Sequence, residues 1–343
     1  MTMSWTDLLT APLSGLYATA VWLRHLLYDE HVLPSHEVDI PTICVGNLAL
    51  GGTGKTPHIE ALIRMLSPRF RVAVLSRGYR RATHGFVLAD EHANARTIGD
   101  EAMLLYMKYP EVRVAVCEDR VRGVRQLQKQ FPDLDVILLD DAFQHRRLKA
   151  GYNIILTSYD RLYKDDHMLP WGRLRDLKQR VLKANAIIVT NCPDDLQPID
   201  RRVVDNHLRL PAYMQLYFSS IRYQEVGMQG RPLVLTGIAH PQYLMQYVQH
   251  HYSGAELMAF PDHHRFTDRD TERILARAEA FDFVLTTEKD LVRMHGTPLY
   301  DRLASRLQAI PIEVDLGEDF AALEKQLVTY IQETKNRCAS SRS

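Results

Sequence analysis

Gly46-Asn47-Leu48-Ala49-Leu50-Gly51-Gly52-Thr53-Gly54-Lys55-Thr56 decides the reading of this chain. The stretch follows a short apolar run, Thr42-Ile43-Cys44-Val45, and precedes a helical pattern. A strand, a glycine-rich turn ending in Gly-Lys-Thr and then a helix is the context of a phosphate-binding loop. Gly51, Gly52 and Gly54, with Thr53 between them, let backbone N–H groups point at phosphate oxygens, and the helix N-terminus adds its positive dipole. In such a loop Lys55 reaches the β- and γ-phosphates and the Thr56 hydroxyl binds Mg²⁺. The chain is therefore expected to use a nucleoside triphosphate.

The loop departs from the common pattern at Ala49, where glycine is usual. The paired Gly51-Gly52 resembles the variant loop of membrane-associated partitioning ATPases, but that variant carries a lysine where this chain has Leu50. A switch ATPase of the partitioning type is the alternative that this loop leaves open. Asn191-Cys192-Pro193-Asp194 has the outline of a guanine-reading motif with Cys192 in place of its lysine, so ATP is expected rather than GTP.

The 343 residues carry 42 basic and 42 acidic side chains. No broad basic field exists to hold a nucleic-acid backbone, so no nucleic-acid partner is expected. Cys44, Cys117, Cys192 and Cys338 are scattered without metal-ligand spacing and read as reduced thiols.

From Leu8 to Leu23 there is no charged residue. Leu9, Leu13, Leu16, Ala20, Leu23 and Leu27 recur at helical spacing, with Trp5, Tyr17 and Trp22 as interfacial aromatics. Thr10, Ser14 and Thr19 dilute the run, which is shorter than the roughly 20 apolar residues of a membrane span. A basic start and a cleavage site are missing, so a signal peptide is not expected. The pattern fits a helix lying in a bilayer surface. It fits equally a helix packed on its own domain.

Beyond the loop, apolar runs at 71–76, 112–117, 136–139, 153–156 and 186–190 alternate with helical patterns at 55–66, 100–108 and 120–130. This alternation predicts an α/β fold with a parallel sheet of the P-loop NTPase type. Residues 213–223 change to strict alternation, as in short exposed antiparallel strands linking two domains. A second α/β series follows, with strands at 233–236, 257–260, 283–286 and 310–314 and helices at 241–250, 268–280 and 320–334. The expected organisation is an N-terminal membrane-associating helix (1–35), a P-loop kinase domain (36–212), linker strands with a smaller second domain (213–334) and a disordered tail (335–343).

Val136-Ile137-Leu138-Leu139-Asp140-Asp141 is a buried-strand pattern ending in two carboxylates. With Lys55 and Thr56 it reads as the Mg²⁺ end of the site, since a hard cation takes oxygen ligands. Gln144 and His145 follow at once, and polar clusters at carboxyl ends of strands are where open α/β sheets bind ligands. Arg77 and Tyr79 end the next strand. Asp100 opens a helix, and Arg120 follows another strand end. Phe260-Pro261-Asp262-His263-His264 ends a strand of the second series, where one histidine beside a carboxylate is an acid–base element.

Taken in order, these segments resemble the tetraacyldisaccharide 4′-kinase family, the lipid A 4′-kinases of Gram-negative bacteria. The matching features are Val45-Gly46-Asn47 with the loop through Pro57, then Ser76-Arg77-Gly78-Tyr79, Gly99-Asp100-Glu101 and Asp140-Asp141-x-Phe143-Gln144-His145. Leu169-Pro170-x-Gly172-x-Leu174-Arg175, Phe260-x-Asp262-His263-His264 and Thr287-Glu288-Lys289-Asp290 complete the set. Asp176 departs from it, where the family has glutamate. The resemblance implies ATP- and Mg²⁺-dependent phosphorylation of the 4′-hydroxyl of a tetraacylated glucosamine disaccharide 1-phosphate, giving lipid IVA. That substrate is embedded in a membrane, so the resemblance places the chain on the cytoplasmic face of the bacterial inner membrane. It implies Asp100 as base, supported by His263, with Lys55 on the phosphates. Arg77, Tyr79, Arg120, Gln144, His145 and Asp176 are then candidates for contacts with substrate or phosphate.

Overall fold

The computed structural model describes residues 5–238 and 241–340; the side chains of residues 5–9, Trp5 and Leu9 among them, and residues 341–343 of the expected tail lie outside the described part. The chain opens with helix α1 (Trp5–Asp29). There follow β1 (Thr42–Asn47), α2 (Lys55–Leu66), β2 (Val72–Ser76), β3 (Val87–Leu88), α3 (Ala95–Ile98), α4 (Asp100–Lys108), β4 (Arg113–Val116) and α5 (Arg120–Gln130). Next come β5 (Val136–Asp140), β6 (Tyr152–Ser158), β7 (Ala186–Thr190), α6 (Pro198–Leu208) and β8 (Gln215–Phe218). The remainder is β9 (Ser220–Tyr223), β10 (Pro232–Thr236), α7 (Pro241–His251), β11 (Glu256–Ala259), α8 (Asp268–Ala278), β12 (Phe283–Thr287), α9 (Glu288–Met294), α10 (Pro298–Leu303), β13 (Leu307–Ile310), β14 (Ile312–Asp315) and α11 (Asp319–Ser340).

The first domain holds an eight-stranded sheet in the order β3-β4-β2-β5-β1-β6-β7-β8, parallel but for β3. Its strands read as continuous Val/Ile/Leu runs because both faces are covered. Ile43 and Val45 of β1 face the core shared with α2 and α4, while Cys44 faces the α5 side. In register, Val45 lies opposite Asp140 and Leu75 opposite Leu139. The phosphate loop, the two aspartates and Ser76 therefore leave the sheet at one edge.

The second domain is a four-stranded parallel sheet, β11-β10-β12-β13. It connects to the first through the antiparallel pair β9–β14.

Three expectations are corrected. Residues 213–223 are not uniformly exposed antiparallel strands: β8 pairs parallel with β7 and buries Tyr217 and Phe218 in the large sheet, and only β9 is antiparallel. The strand expected at 310–314 is two strands, broken at Pro311, which lacks the N–H a continuous ladder needs. The tail expected to be disordered from Lys335 is helical to Ser340, where Lys335 pairs with Asp135. Helix α11 also returns to the first domain, with Leu323, Leu327 and Ile331 fully buried in the same core as α2.

Helix α1 has an unusual allocation of faces. Three of its polar side chains point inward: the Ser14 hydroxyl donates to the Met168 carbonyl (2.8 Å), Tyr17 to the Arg175 carbonyl (3.1 Å), and His25 pairs with Asp176 (2.6 Å). Leu13, Leu16, Trp22, Leu23 and Leu26 are exposed. Among the described residues no helix is long and apolar enough to cross a membrane.

Candidate active site

The loop between β1 and α2 is held by backbone rather than by glycine alone. Leu50 N–H donates to the Arg173 carbonyl (2.7 Å), Arg175 N–H donates to the Leu48 carbonyl (2.8 Å), and Ala49 bridges Leu174. Ala49 is not left-handed, so alanine fits where the common pattern has glycine; Gly51 (φ 113°) and Gly54 (φ 76°) are the positions that require it. The Asn47 side chain donates to Thr53 Oγ1 (2.8 Å) and accepts from Lys55 Nζ (3.3 Å). Thr56, buried, opens α2 beside them. His58, one turn on, links the Gly54 carbonyl (2.7 Å) to the Ser219 hydroxyl (2.9 Å), and burial pushes its imidazole down to about 4.

Asp140 and Asp141 stand where β5 ends. Ser76 donates to Asp140 Oδ2 (3.0 Å), and Asp140 Oδ1 is buried with no hydrogen-bond partner among the described residues. Burial, then the charges of Glu101 and Asp141, push the Asp140 carboxyl up to about 7. Burial also opposes ionisation of Asp141, but Lys55 (3.9 Å) and Arg175 outweigh it and hold that carboxyl below the usual range. Arg175 binds both Asp141 oxygens and the Asn47 side chain (2.6 Å). Asp141 is left-handed (φ 47°), backbone strain of about 1–3 kcal/mol of the kind that gathers at functional sites.

These residues fit a Mg²⁺ ion. An orphaned buried carboxylate oxygen, a second carboxylate and the Thr56 hydroxyl supply oxygen ligands. No three carboxylate, imidazole or thiol groups converge as a metal cage among the described residues. That agrees with Mg²⁺ taking one or two carboxylates and completing its shell with phosphates and water.

The other side chains singled out from the sequence distribute around this centre. Arg120 is buried; its guanidinium donates to the Cys117 (2.9 Å) and Asp140 (3.2 Å) carbonyls, and its Nε has no partner among the described residues. Its backbone N–H donates to His145 Nε2 (3.3 Å), which burial and then the Arg120 charge push down to about 4. Gln144 donates to the Asn47 carbonyl (2.9 Å) and leaves Oε1 buried, with no partner among the described residues. Arg77 is exposed, with its charge acting on Arg120. Tyr79 is exposed and meets the His263 ring edge-on at 5.4 Å. Asp176 stands apart: its carboxylate anchors His25 of α1.

Asp100 opens α4 in the first domain and His263 follows β11 in the second. Although 163 residues apart, His263 Nδ1 lies 2.8 Å from Asp100 Oδ2. Glu101, next to Asp100, acts electrostatically on Asp140 and feels Lys55, which ties the pair to the metal end. A cleft of about 300 Å³ opens on the other flank of the loop, lined by Gly51, Thr53, Ser158, Asn191 and Tyr243.

The family model for tetraacyldisaccharide-1-P 4′-kinase, LpxK, matches residues 6–332. This chain belongs to that family. The kinase is 42% identical to the tetraacyldisaccharide 4′-kinase of Bacteroides fragilis strain YCH46 over 351 residues, covering 95% of this chain and 93% of that protein. It is 42% identical over 335 residues to that of Flavobacterium johnsoniae, covering 94% and 96%. The structure of "apo" form LpxK from Aquifex aeolicus in complex with ATP matches it with a TM-score of 0.74 at 26% identity, covering 94% of this chain and 98% of that one. Family membership disfavours the partitioning-type switch ATPase.

Sequence reasoning missed three side chains of this site. Arg175 was visible only as part of a family motif, and its pairing with Asp141 comes from the 173–175 segment lying along the loop. His58 reads as an ordinary helix residue. Arg293 sits at i+3 from Asp290, a spacing that reads as a surface ion pair, yet its side chain is 6% exposed and reaches Asp100.

Proposed function

We propose that this kinase moves the γ-phosphoryl group of ATP onto the 4′-hydroxyl of tetraacyldisaccharide 1-phosphate, giving lipid IVA, at the cytoplasmic face of the inner membrane. What carries the reading is the convergence, at one sheet edge, of a phosphate loop, two carboxylates with an orphaned oxygen and a carboxylate–imidazole pair. Phosphoryl transfer is mostly positioning and charge neutralisation, and this chain provides both. The amides of Gly51, Gly52, Thr53 and Gly54 cradle the phosphates, and Lys55 holds the β,γ end. Thr56, Asp140 and Asp141 hold Mg²⁺, which when bound neutralises phosphate charge. The Asp100–His263 pair takes the proton of the attacking hydroxyl. Arg120, Arg77, Gln144, His145 and Tyr79 lie around these groups and serve in this reading as contacts to sugar or phosphate, and Asp176 acts from behind through α1.

Helix α1 supports the membrane reading. Its inward face is fixed by hydrogen bonds, so its outward leucines and Trp22 are available to lie in the headgroup region. The helix also touches the site: Arg24 donates to the Gln144 carbonyl (3.1 Å).

The test is incubation with γ-labelled ATP, Mg²⁺ and the disaccharide 1-phosphate lipid in detergent micelles. Label is expected in the lipid. Label found only as free phosphate overturns the reading in favour of an ATPase switch.

A further inference from the structure

Arg293 bridges the two domains at the carboxylate–imidazole pair. One edge of its guanidinium belongs to the second domain: Nη1 donates to Asp290 Oδ1 (2.7 Å) and to the Gly237 carbonyl (2.8 Å). Asp290 is fully buried, and its other oxygen accepts from Thr236 (2.9 Å), the Gly237 N–H (3.0 Å) and Thr287 (2.7 Å). The resting place of Arg293 is thus set by its own domain. The opposite edge reaches across: Nε and Nη2 both donate to Asp100 Oδ2, at 2.8 and 2.6 Å. The Gly237 carbonyl that receives Nη1 also accepts the His263 N–H (3.3 Å). One carbonyl therefore presents Arg293 and a left-handed His263 (φ 59°) as a unit.

Asp100 Oδ2 lies within hydrogen-bond distance of three nitrogens: Nε and Nη2 of Arg293 and Nδ1 of His263. Oδ1 accepts the Glu101 N–H (3.1 Å). The carboxylate only accepts, so Nδ1, 2.8 Å from Oδ2, faces Asp100 as an N–H, and the protons of Arg293 go to the same carboxylate rather than to Nδ1. The lone pair left open in the pair is Nε2 of His263.

We infer that Arg293 is a positioning residue for phosphoryl transfer: docked across the domain boundary, it fixes the Asp100 carboxylate so that His263 offers Nε2 to the proton of the acceptor hydroxyl. The acceptor oxygen bonds to the γ-phosphorus as that proton passes to Nε2. The bond from the γ-phosphorus to the bridging oxygen breaks, and its electron pair leaves with ADP. The inference rests on the proposed base role of the Asp100–His263 pair.

The groups facing the pair are Arg293 and Lys289 from α9, Glu101 beside Asp100, Asp262, whose carboxylate lies 3.8 Å from Nε2 of His263, and Asp290 on the far side of Arg293. Removing Arg293 takes a cation away from the base. A nearby cation depresses the proton affinity of a base, so its loss raises that affinity and moves the acid limb of the rate profile to higher pH.

The experiment uses the full-length enzyme with ATP, Mg²⁺ and the disaccharide 1-phosphate lipid, comparing Arg293→Met and Arg293→Lys with wild type. For the methionine variant we expect kcat to fall roughly 10²-fold at unchanged KM for ATP, because misplacement of about 1 Å costs that much. Its acid limb should rise by about one pH unit. Lysine, which cannot span Asp290 and Asp100 with two forks, should fall between the two. If the methionine variant does not fold, the lysine variant decides by the same two readouts. A folded variant with an unmoved acid limb overturns the inference, even if its Tm has dropped. An Asp100→Ala control separates the layers. Full turnover in that variant removes the base reading and this inference together. Lost turnover there, with an unmoved limb in the arginine variants, removes this inference alone.

Discussion

Two histidines of the first domain, His58 buried and His145 half-buried, are held neutral in the fold, and each does a neutral imidazole's work. His58 joins the phosphate loop to Ser219, and His145 accepts the Arg120 N–H. Unfolded, each binds a proton below pH ~6.5; folded, each resists until about 4. The unfolded chain therefore binds more protons between those values. Stability is complete above pH ~6.5 and falls as pH drops toward 4, by up to ~1.4 kcal/mol per pH unit for each histidine. Urea unfolding of wild type and His58→Gln at pH 7, 5.5 and 4.5 checks this: the variant should show a shallower fall, and identical slopes would clear His58 of the effect. At the metal end, Asp140→Asn and Asp141→Asn should each raise the Mg²⁺ concentration for half-maximal rate or lower kcat, by about tenfold or more. Unchanged Mg²⁺ titrations in both would make the aspartates structural. Lys55 and Thr56 were legible because a glycine-rich loop runs from a strand into the helix they open, and Asp140 and Asp141 because they end a recognisable strand. The pairing of Asp100 with His263 came from the family resemblance alone, since a helix start and a distant strand end meet only through the docking of domains, and composition carries no trace of that.

Among the elements, α2, α4 and α5 fall on the bounds that periodicity gives, 55–66, 100–108 and 120–130, because one apolar face and an abrupt polar stop mark each. Helix α1 resisted the same treatment for a physical reason. Its leucine stripe fits either a core or a bilayer, and only the hydrogen bonds of Ser14, Tyr17 and His25 tell which face turns inward. Leu16 is 69% and Leu23 is 50% exposed. Burying a leucine is worth roughly 1.5–3 kcal/mol, so Leu16→Glu with Leu23→Glu should weaken partitioning into phospholipid vesicles by about 10²-fold or more. The double variant should keep its ATP affinity and its Tm. Vesicle sedimentation that matches wild type would mean that this face does not meet lipid. The misread strands, 213–223 and 310–314, are short, and in both a single residue marks where one sheet gives way to another: Ser219 after β8 and Pro311 after β13.

At the scale of the molecule, the second domain is an insertion. The chain leaves the first domain after β8, builds the second sheet between β9 and β14, and comes back as α11 to complete the first core. Leu323, Leu327 and Ile331 are spaced to form one stripe, and all are fully buried. Leu327→Ala should therefore destabilise the first domain by about 2–5 kcal/mol, read as a drop in the midpoint of chemical unfolding. A loss below 1 kcal/mol would place α11 outside the core. The α/β class and the parallel sheets were readable from the alternation of runs. The return of α11 was not, because a helix with one apolar stripe does not name its partner. The return has a consequence for how the protein is made. A chain emerging from the ribosome presents the phosphate loop early, yet the helix that seals the core beneath it is translated only after every strand of the inserted domain. The inserted domain has all its strands in hand before that moment. The half that begins first is finished last, so a transcript cut short before Asp319 leaves an unsealed first domain carrying a sheet-complete second one.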